Sequence, residues 1–313
     1  MKKILVVYNC CGIARDNIDM WLNHIQRIIT QDYNNFDLCI SGCKISDRSK
    51  EVFRKLQKNS NINIYLSFIE DVLPVNITFN KTCMVMSELN EYDAFLYIAS
   101  DVDMNGDNSV ISKLSDLHFS KNSAITSAVV NFDSGIEVWL GSHIFNEYLN
   151  TSHYQVPVGK TLNLHCMMFD KRIYDEYNER IIPDIFRTYC TESVFFYLTA
   201  SLNMKYMIHD KSLFIIHLAG RDGSSIGFQG GRDWKDMFNT SKSVHERIMT
   251  AEAKSVGFGY EEYIGIFPHD PSYYNSDYTH KNPKILLDFT KENLYLKDYE
   301  FSYKNINFQL EVK

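Results

Sequence analysis

Three short apolar runs, ILVVY (4–8), FDLCIS (36–41) and INIYLSF (62–68), alternate with stretches of helical period, and this alternation constrains the fold more than any other feature. Between the first two runs, Ile18, Trp21, Leu22, Ile25, Ile28 and Ile29 share one face of a helix extending from Asn17 to Ile29. SKEVFRKLQ (49–57) provides a second helix, and a third around Cys83 to Leu89 leads into the apolar run AFLYIAS (94–100). Strands joined through helices run parallel, so the pattern predicts an α/β chain on a largely parallel sheet.

Beyond Asp103 the rhythm loosens. SAITSAVVNF (123–132) and LNLHCMMFD (162–170) are expected as strands, TESVFFYLTASLN (191–203) as a helix, and MKYMIHDKSLFIIH (204–217) as one extended stretch. GRDGSSIGFQGGRDW (220–234) is rich in Gly and Ser and reads as a mobile loop. Residues 235–313 show many tyrosines and no repeat, and no chemistry is assigned to them. At 313 residues, one domain plus an appendage is expected.

The net charge of −7, without long Lys or Arg clusters, argues against a nucleic-acid binder. No apolar stretch approaches the roughly 20 residues needed to span a bilayer, and the apolar N-terminal run is read as a first strand, not a signal peptide. Seven cysteines without a CxxC pair are read as reduced, so the expected location is cytoplasmic, at most at the inner face of a membrane.

The chemistry concentrates in SDVDMNGDNS (100–109). Asp101, Asp103, Asn105 and Gly106 match the opening of a calcium loop, but the loop's closing glutamate is replaced by Ser112, and a strand-like run precedes the motif where a helix is required. The other reading places Asp101 and Asp103 at the carboxyl end of a strand, where open α/β sheets bind ligands. A hard divalent ion, Mg²⁺ or Mn²⁺, takes one or two such carboxylates and completes its shell with phosphate oxygens and water. Asp-x-Asp therefore suits a nucleoside diphosphate.

In this setting residues 3–220 resemble a glycosyltransferase of the GT-A fold, most closely the inverting, nucleotide-sugar-dependent family 2. VVYNCCG (6–12) resembles that family's first strand with its Tyr-Asn turn, and QDYNNFDLCIS (31–41) the approach to its second strand. TFNKTC (78–83) resembles its Arg-Asn-x-Gly segment at Asn80. YDAFLYIASDVDM (92–104) resembles the strand ending in Asp-x-Asp, LHCMMFDKRIYDEY (164–177) the following strand and helix, and residues 191–217 the acidic helix and the strand ending in His.

The resemblance implies a GT-A catalytic domain over 1–220, with a Rossmann-like mixed sheet, followed over 221–313 by a lid loop and an extension. It implies a metal-dependent transfer from a nucleotide-diphosphate sugar, with a UDP-sugar expected, to a glycan or other hydroxyl acceptor. Asp101, Asp103 and His217 would hold Mn²⁺ or Mg²⁺, and Glu192 would be the catalytic base. Tyr8, Asn9, Ser41, Asn80, Asp101, Arg221 and Arg232 would contact the donor. Trp234 would join the lid, and Trp139, Tyr148, His153 and Tyr154 lie where the acceptor is expected. The chain departs from the family at Ser41-Gly42, where an acidic pair is usual, and at Thr191-Glu192, where Glu-Asp is usual. The rival readings are a retaining transferase of the same fold, a nucleotidyltransferase and a non-catalytic calcium or glycan binder. The nucleotidyltransferase would require a Gly-rich basic loop that NCCGIARDN (9–17) lacks.

Overall fold

The computed structural model describes residues 1–12, 16–71, 73, 75–132, 153–155, 165–182, 202–209, 213–218, 281, 291 and 303–313. Its centre is the expected alternation: β1 (Ile4–Cys11), α1 (Ile18–Ile29), β2 (Phe36–Cys43), α2 (Asp47–Asn59), β3 (Ile64–Ile69), α3 (Val75–Leu89) and β4 (Ala94–Ala99). β3, β2, β1 and β4 lie side by side in that order, all parallel, so their carboxyl ends share one edge. β1 is nearly continuous in apolar residues because both of its faces are covered. Ile4, Val6 and Tyr8 join the core with Trp21 and Ile25 of α1 and Phe53 of α2, while α3 packs on the other face. Burying a side chain of this size contributes roughly 1.5–3 kcal/mol, so this layer dominates the stability of the centre. Ser46 starts α2 by accepting a hydrogen bond from the Ser49 N–H, which satisfies one of the helix's otherwise orphaned donors.

The second half mixes directions. β5 (Val102–Asp103) follows β4, then come α4 (Val110–Ser120), β6 (Ser123–Ser127), β7 (Val129–Phe132), β8 (His153–Gln155), β9 (Cys166–Asp170), α5 (Lys171–Glu176), β10 (Lys205–His209) and β11 (Phe214–His217). β9 runs antiparallel between β4 and β6, and its first residue pairs with Ile98 at the carboxyl edge. The apolar stretches 123–132 and 204–217, each expected as one extended piece, divide in two. β6 and β10 pair in parallel in the main sheet, and their continuations β7 and β11 pair in parallel in a second sheet that β5 joins antiparallel. Two adjacent strands thus leave one sheet together and form most of another.

The end of the chain returns to the centre. β12 (Phe308–Glu311) lies antiparallel on β3, Arg54 binds Glu311 through Nε and Nη2, and Tyr303 and Ile306 pack against Ile69 and Ile77. The last residues of the extension therefore form an edge strand of the main sheet. No helix among the described residues is long and apolar enough to cross a membrane.

Candidate active site

The carboxyl edge of the parallel strands carries the candidate site. β4 ends at Ala99, and the chain turns through Ser100 and Asp101 directly into β5. Two buried groups meet the turn from below: the Tyr8 hydroxyl (3.1 Å) and His24 Nδ1 (3.0 Å) both reach the Ser100 carbonyl. A carbonyl only accepts, so Nδ1 carries the proton. Burial lowers the His24 pKa, against the attraction of Asp103, so the ring is neutral at neutral pH. Tyr8, expected at the donor, is thus fully buried and positions the turn that bears Asp101.

Asp101 is 7 % exposed, and its carbonyl accepts the Leu218 N–H at 2.8 Å. In the second sheet Val102 is the register partner of His217, and Asp103 that of Ile216. The fold therefore brings the backbones of Asp101, Asp103 and His217 together, although more than a hundred residues separate them. Asp103 Oδ1 accepts from the Asn105 N–H at 2.8 Å and pairs with the Arg27 guanidinium on α1, while Oδ2 takes no hydrogen bond from the described residues. Carboxylate oxygens at the end of a parallel strand, one of them open, are a donor set that fits Mn²⁺ or Mg²⁺.

The motif does not form a calcium loop. A strand precedes it, and the Asp107 carboxylate is turned to α4, where Oδ1 takes Ser109 N–H and hydroxyl and Oδ2 takes Lys113 at 2.8 Å. Burial opposes its charge, yet these bonds hold its carboxyl below the usual range. Asp107 starts a helix, and Asp103 faces Arg27. Among the described residues no three His, Cys, Asp or Glu side chains cluster as a metal site.

Beyond β1 and β2 the same edge opens into a cleft of about 730 Å³ lined by Gly12, Asp16, Lys44, Ser46, Lys50 and Glu70, among others. Asp16 Oδ2 accepts from the Ser46 N–H at 2.9 Å and the Ser49 hydroxyl at 2.8 Å. Ser41 and Gly42 lie beneath. Ser41 is fully buried with its hydroxyl 3.1 Å from that of Thr82, and Ile45 fills the space a side chain at position 42 would enter. The position expected to contact the donor is therefore packed, and the carboxylates at this end are those of Asp16, Asp47 and Glu70. Asn9 stands between cleft and Asp101, its Oδ1 buried and without a hydrogen-bond partner among the described residues.

Asn80, also expected at the donor, is fully buried on α3. Its Oδ1 accepts the Ile181 and Ile182 N–H groups at 3.0 and 3.1 Å, and its Nδ2 donates to the Ile182 carbonyl at 2.6 Å and the Tyr303 hydroxyl at 3.0 Å. The amide is saturated by the chain itself, so Asn80 fastens the 181–182 segment and the C-terminal residues to the sheet. Asn80→Ala is expected to cost about 3 kcal/mol of stability in chemical denaturation, because it strands several buried polar groups. A donor contact would instead weaken nucleotide binding and spare stability.

Glu192, Arg221, Arg232, Trp234, Trp139 and Tyr148 lie outside the described residues, while His153 and Tyr154 sit on β8, which pairs with β10. Arg27, His24 and Asp16 were missed in the sequence. His24 alone carried a signal, a polar residue at helical spacing within the apolar face of α1.

This mixed sheet, with helices on both faces and an acidic turn at its carboxyl edge, has the GT-A fold of the similar solved structures. No protein-family model matches the chain, and no curated protein does. Among solved structures the chain is similar to residues 1–349 of S. aureus TarS in complex with UDP-GlcNAc, at 10 % identity and a TM-score of 0.55, covering 92 % of this chain and 81 % of that one. It is similar to the mannosyltransferase PcManGT from Pyrobaculum calidifontis in complex with GDP-Man and Mn²⁺, at 10 % identity and a TM-score of 0.54, covering 96 % and 88 %. Against the longer S. aureus TarS structure, the chain spans 46 % of the length.

Proposed function

We propose that this chain is a metal-dependent glycosyltransferase that moves a sugar from a nucleotide-diphosphate sugar, a UDP-sugar by preference, to an acceptor hydroxyl with inversion. One observation carries the reading: the turn with Asp101 and Asp103 is held against β11 at the carboxyl edge of the parallel strands, beside a cleft large enough for a nucleoside. The ligands of the similar structures, UDP-GlcNAc in one and GDP-Man with Mn²⁺ in the other, support it.

In this reading the nucleoside lies in the cleft beside Asn9, and the diphosphate lies toward Asp101. Asp101, Asp103 and His217 would hold Mn²⁺ or Mg²⁺, which when bound supplies positive charge for the departing diphosphate. Arg221 and Arg232 add bidentate contacts to the phosphates. Glu192 takes the proton of the acceptor hydroxyl as its oxygen attacks the anomeric carbon, which inverts that centre. Tyr8, Ser41 and Asn80 act from behind, by holding the strand ends and the segment that leads toward Glu192.

A thermal-shift screen of nucleoside diphosphates, with and without Mn²⁺, tests the donor. The expected result is the largest stabilisation by UDP, and only with Mn²⁺. A preference for GDP or CDP overturns the choice of uridine, and the same shifts without metal overturn the metal dependence.

A further inference from the structure

Cys11 ends β1 and Cys43 ends β2, and the two are register partners in adjacent parallel strands. Such partners stand about 4.8 Å apart at Cα with side chains on the same face, inside the roughly 4.4–6.8 Å that a disulfide spans. The thiols already meet: Cys11 hydrogen bonds Cys43, and Cys43 Sγ donates to the Asp71 carbonyl at 3.0 Å. Cys11 is half-buried and Cys43 buried, so solvent reaches the first and the second waits behind it. Cys10 points to the opposite face, where its Sγ donates to the Ser41 carbonyl at 3.6 Å. The adjacent pair in the sequence is therefore not the pair in space.

We propose that Cys11 and Cys43 are a reversible dithiol–disulfide pair at the mouth of the cleft, oxidised by peroxides and reset by thiols. The Cys11 sulfur attacks the peroxide O–O bond and gives up its proton, so that a sulfenic acid forms and one water leaves. The Cys43 sulfur then displaces the sulfenic oxygen as a second water, so that two thiols and one hydrogen peroxide become one disulfide and two waters. In the reduced pair the hydrogen bond from Cys11 outweighs burial and holds the Cys43 thiol below its ordinary value. A disulfide has no S–H, so the Asp71 carbonyl loses its donor beside Glu70, a wall of the cleft. Gly12 and Lys44, which follow the two cysteines, line the same cleft. Oxidation thus acts on nucleotide binding, a consequence that rests on the transferase reading.

The test treats the full chain with hydrogen peroxide and maps the unreduced digest by mass spectrometry, alongside thermal melting and UDP titration with Mn²⁺. The expected result is a Cys11–Cys43 linked peptide, a mass lower by two hydrogens and a higher melting temperature, since the link constrains the unfolded chain. UDP binding weakens roughly fivefold, the effect of losing one ordinary hydrogen bond. Dithiothreitol reverses all of these, and Cys43→Ser shows none of them. A treated chain with a Cys10–Cys11 link, or with Cys11 sulfonic acid and no link to Cys43, overturns the pair. A linked chain that binds UDP as the reduced one does overturns its control of the cleft. A reduced chain that binds no nucleotide counts against the transferase reading, while the linked peptide and the melting shift still decide the pair.

Discussion

Replacing Glu192 by glutamine is expected to lower sugar-nucleotide turnover by roughly 10² to 10⁴ while UDP and Mn²⁺ binding stay near normal, because a base that acts only on the acceptor proton contributes to the chemical step alone. Thr191 offers a competing explanation, in which it caps a helix and Glu192 merely complements the dipole of the first turn. That arrangement predicts a loss of about 0.3 to 1 kcal/mol in stability with turnover nearly intact. Turnover with an acceptor panel and thermal melting of one purified variant separate the two. A variant that turns over normally removes Glu192 as the base, and Asp184 is the next carboxylate to replace.

Asp103→Ala is expected to abolish Mn²⁺-dependent UDP binding and leave the fold intact. The Arg27 pair makes this test sharper than a single substitution. If Asp103 serves only to tether α1 to the turn, removing either partner has the same small effect, at most about 1 kcal/mol for a partly exposed ion pair. If Asp103 is a metal ligand, Arg27 competes for its carboxylate, so Arg27→Ala leaves Mn²⁺-dependent UDP binding at least as strong as in the parent chain. Calorimetric titration of both variants reads the difference, and equal losses in the two would place Asp103 outside the metal site.

The first four strands and three helices were legible because their period is local: alternate runs of apolar residues and one-sided helical faces need no knowledge of what lies across from them. What failed was non-local. Nothing within 123–132 or 204–217 marks Ala128, or the end of β10 at His209, as the place where a strand stops pairing in the main sheet, since that is decided by the partner strand. α4 carries apolar positions at Val110, Ile111, Leu114 and Leu117, yet its serines and Asp116 resemble turn residues. β12 pairs with a strand some 240 residues earlier, a separation no window detects. In the site, the position of Asp101 and Asp103 at a strand end followed from AFLYIAS. The burial of Tyr8, Ser41 and Asn80 did not follow, because a polar side chain is equally at home facing a ligand or closing a buried hydrogen-bond network. The Arg27–Asp103 pair joins residues that only the packing of α1 brings together.

Because β6 and β10 pass as a pair into β7 and β11, and β5 is stitched to β11 by main-chain bonds, the span from the ends of β1 and β2 to the acidic turn is measured in peptide units. Backbone pairing is indifferent to side-chain identity, so mutation can replace the lining of the cleft without altering this span. The frame works as a fixed ruler, and the residues along it are the replaceable markings. The same fold occurs in structures that are only 10 % identical to this chain.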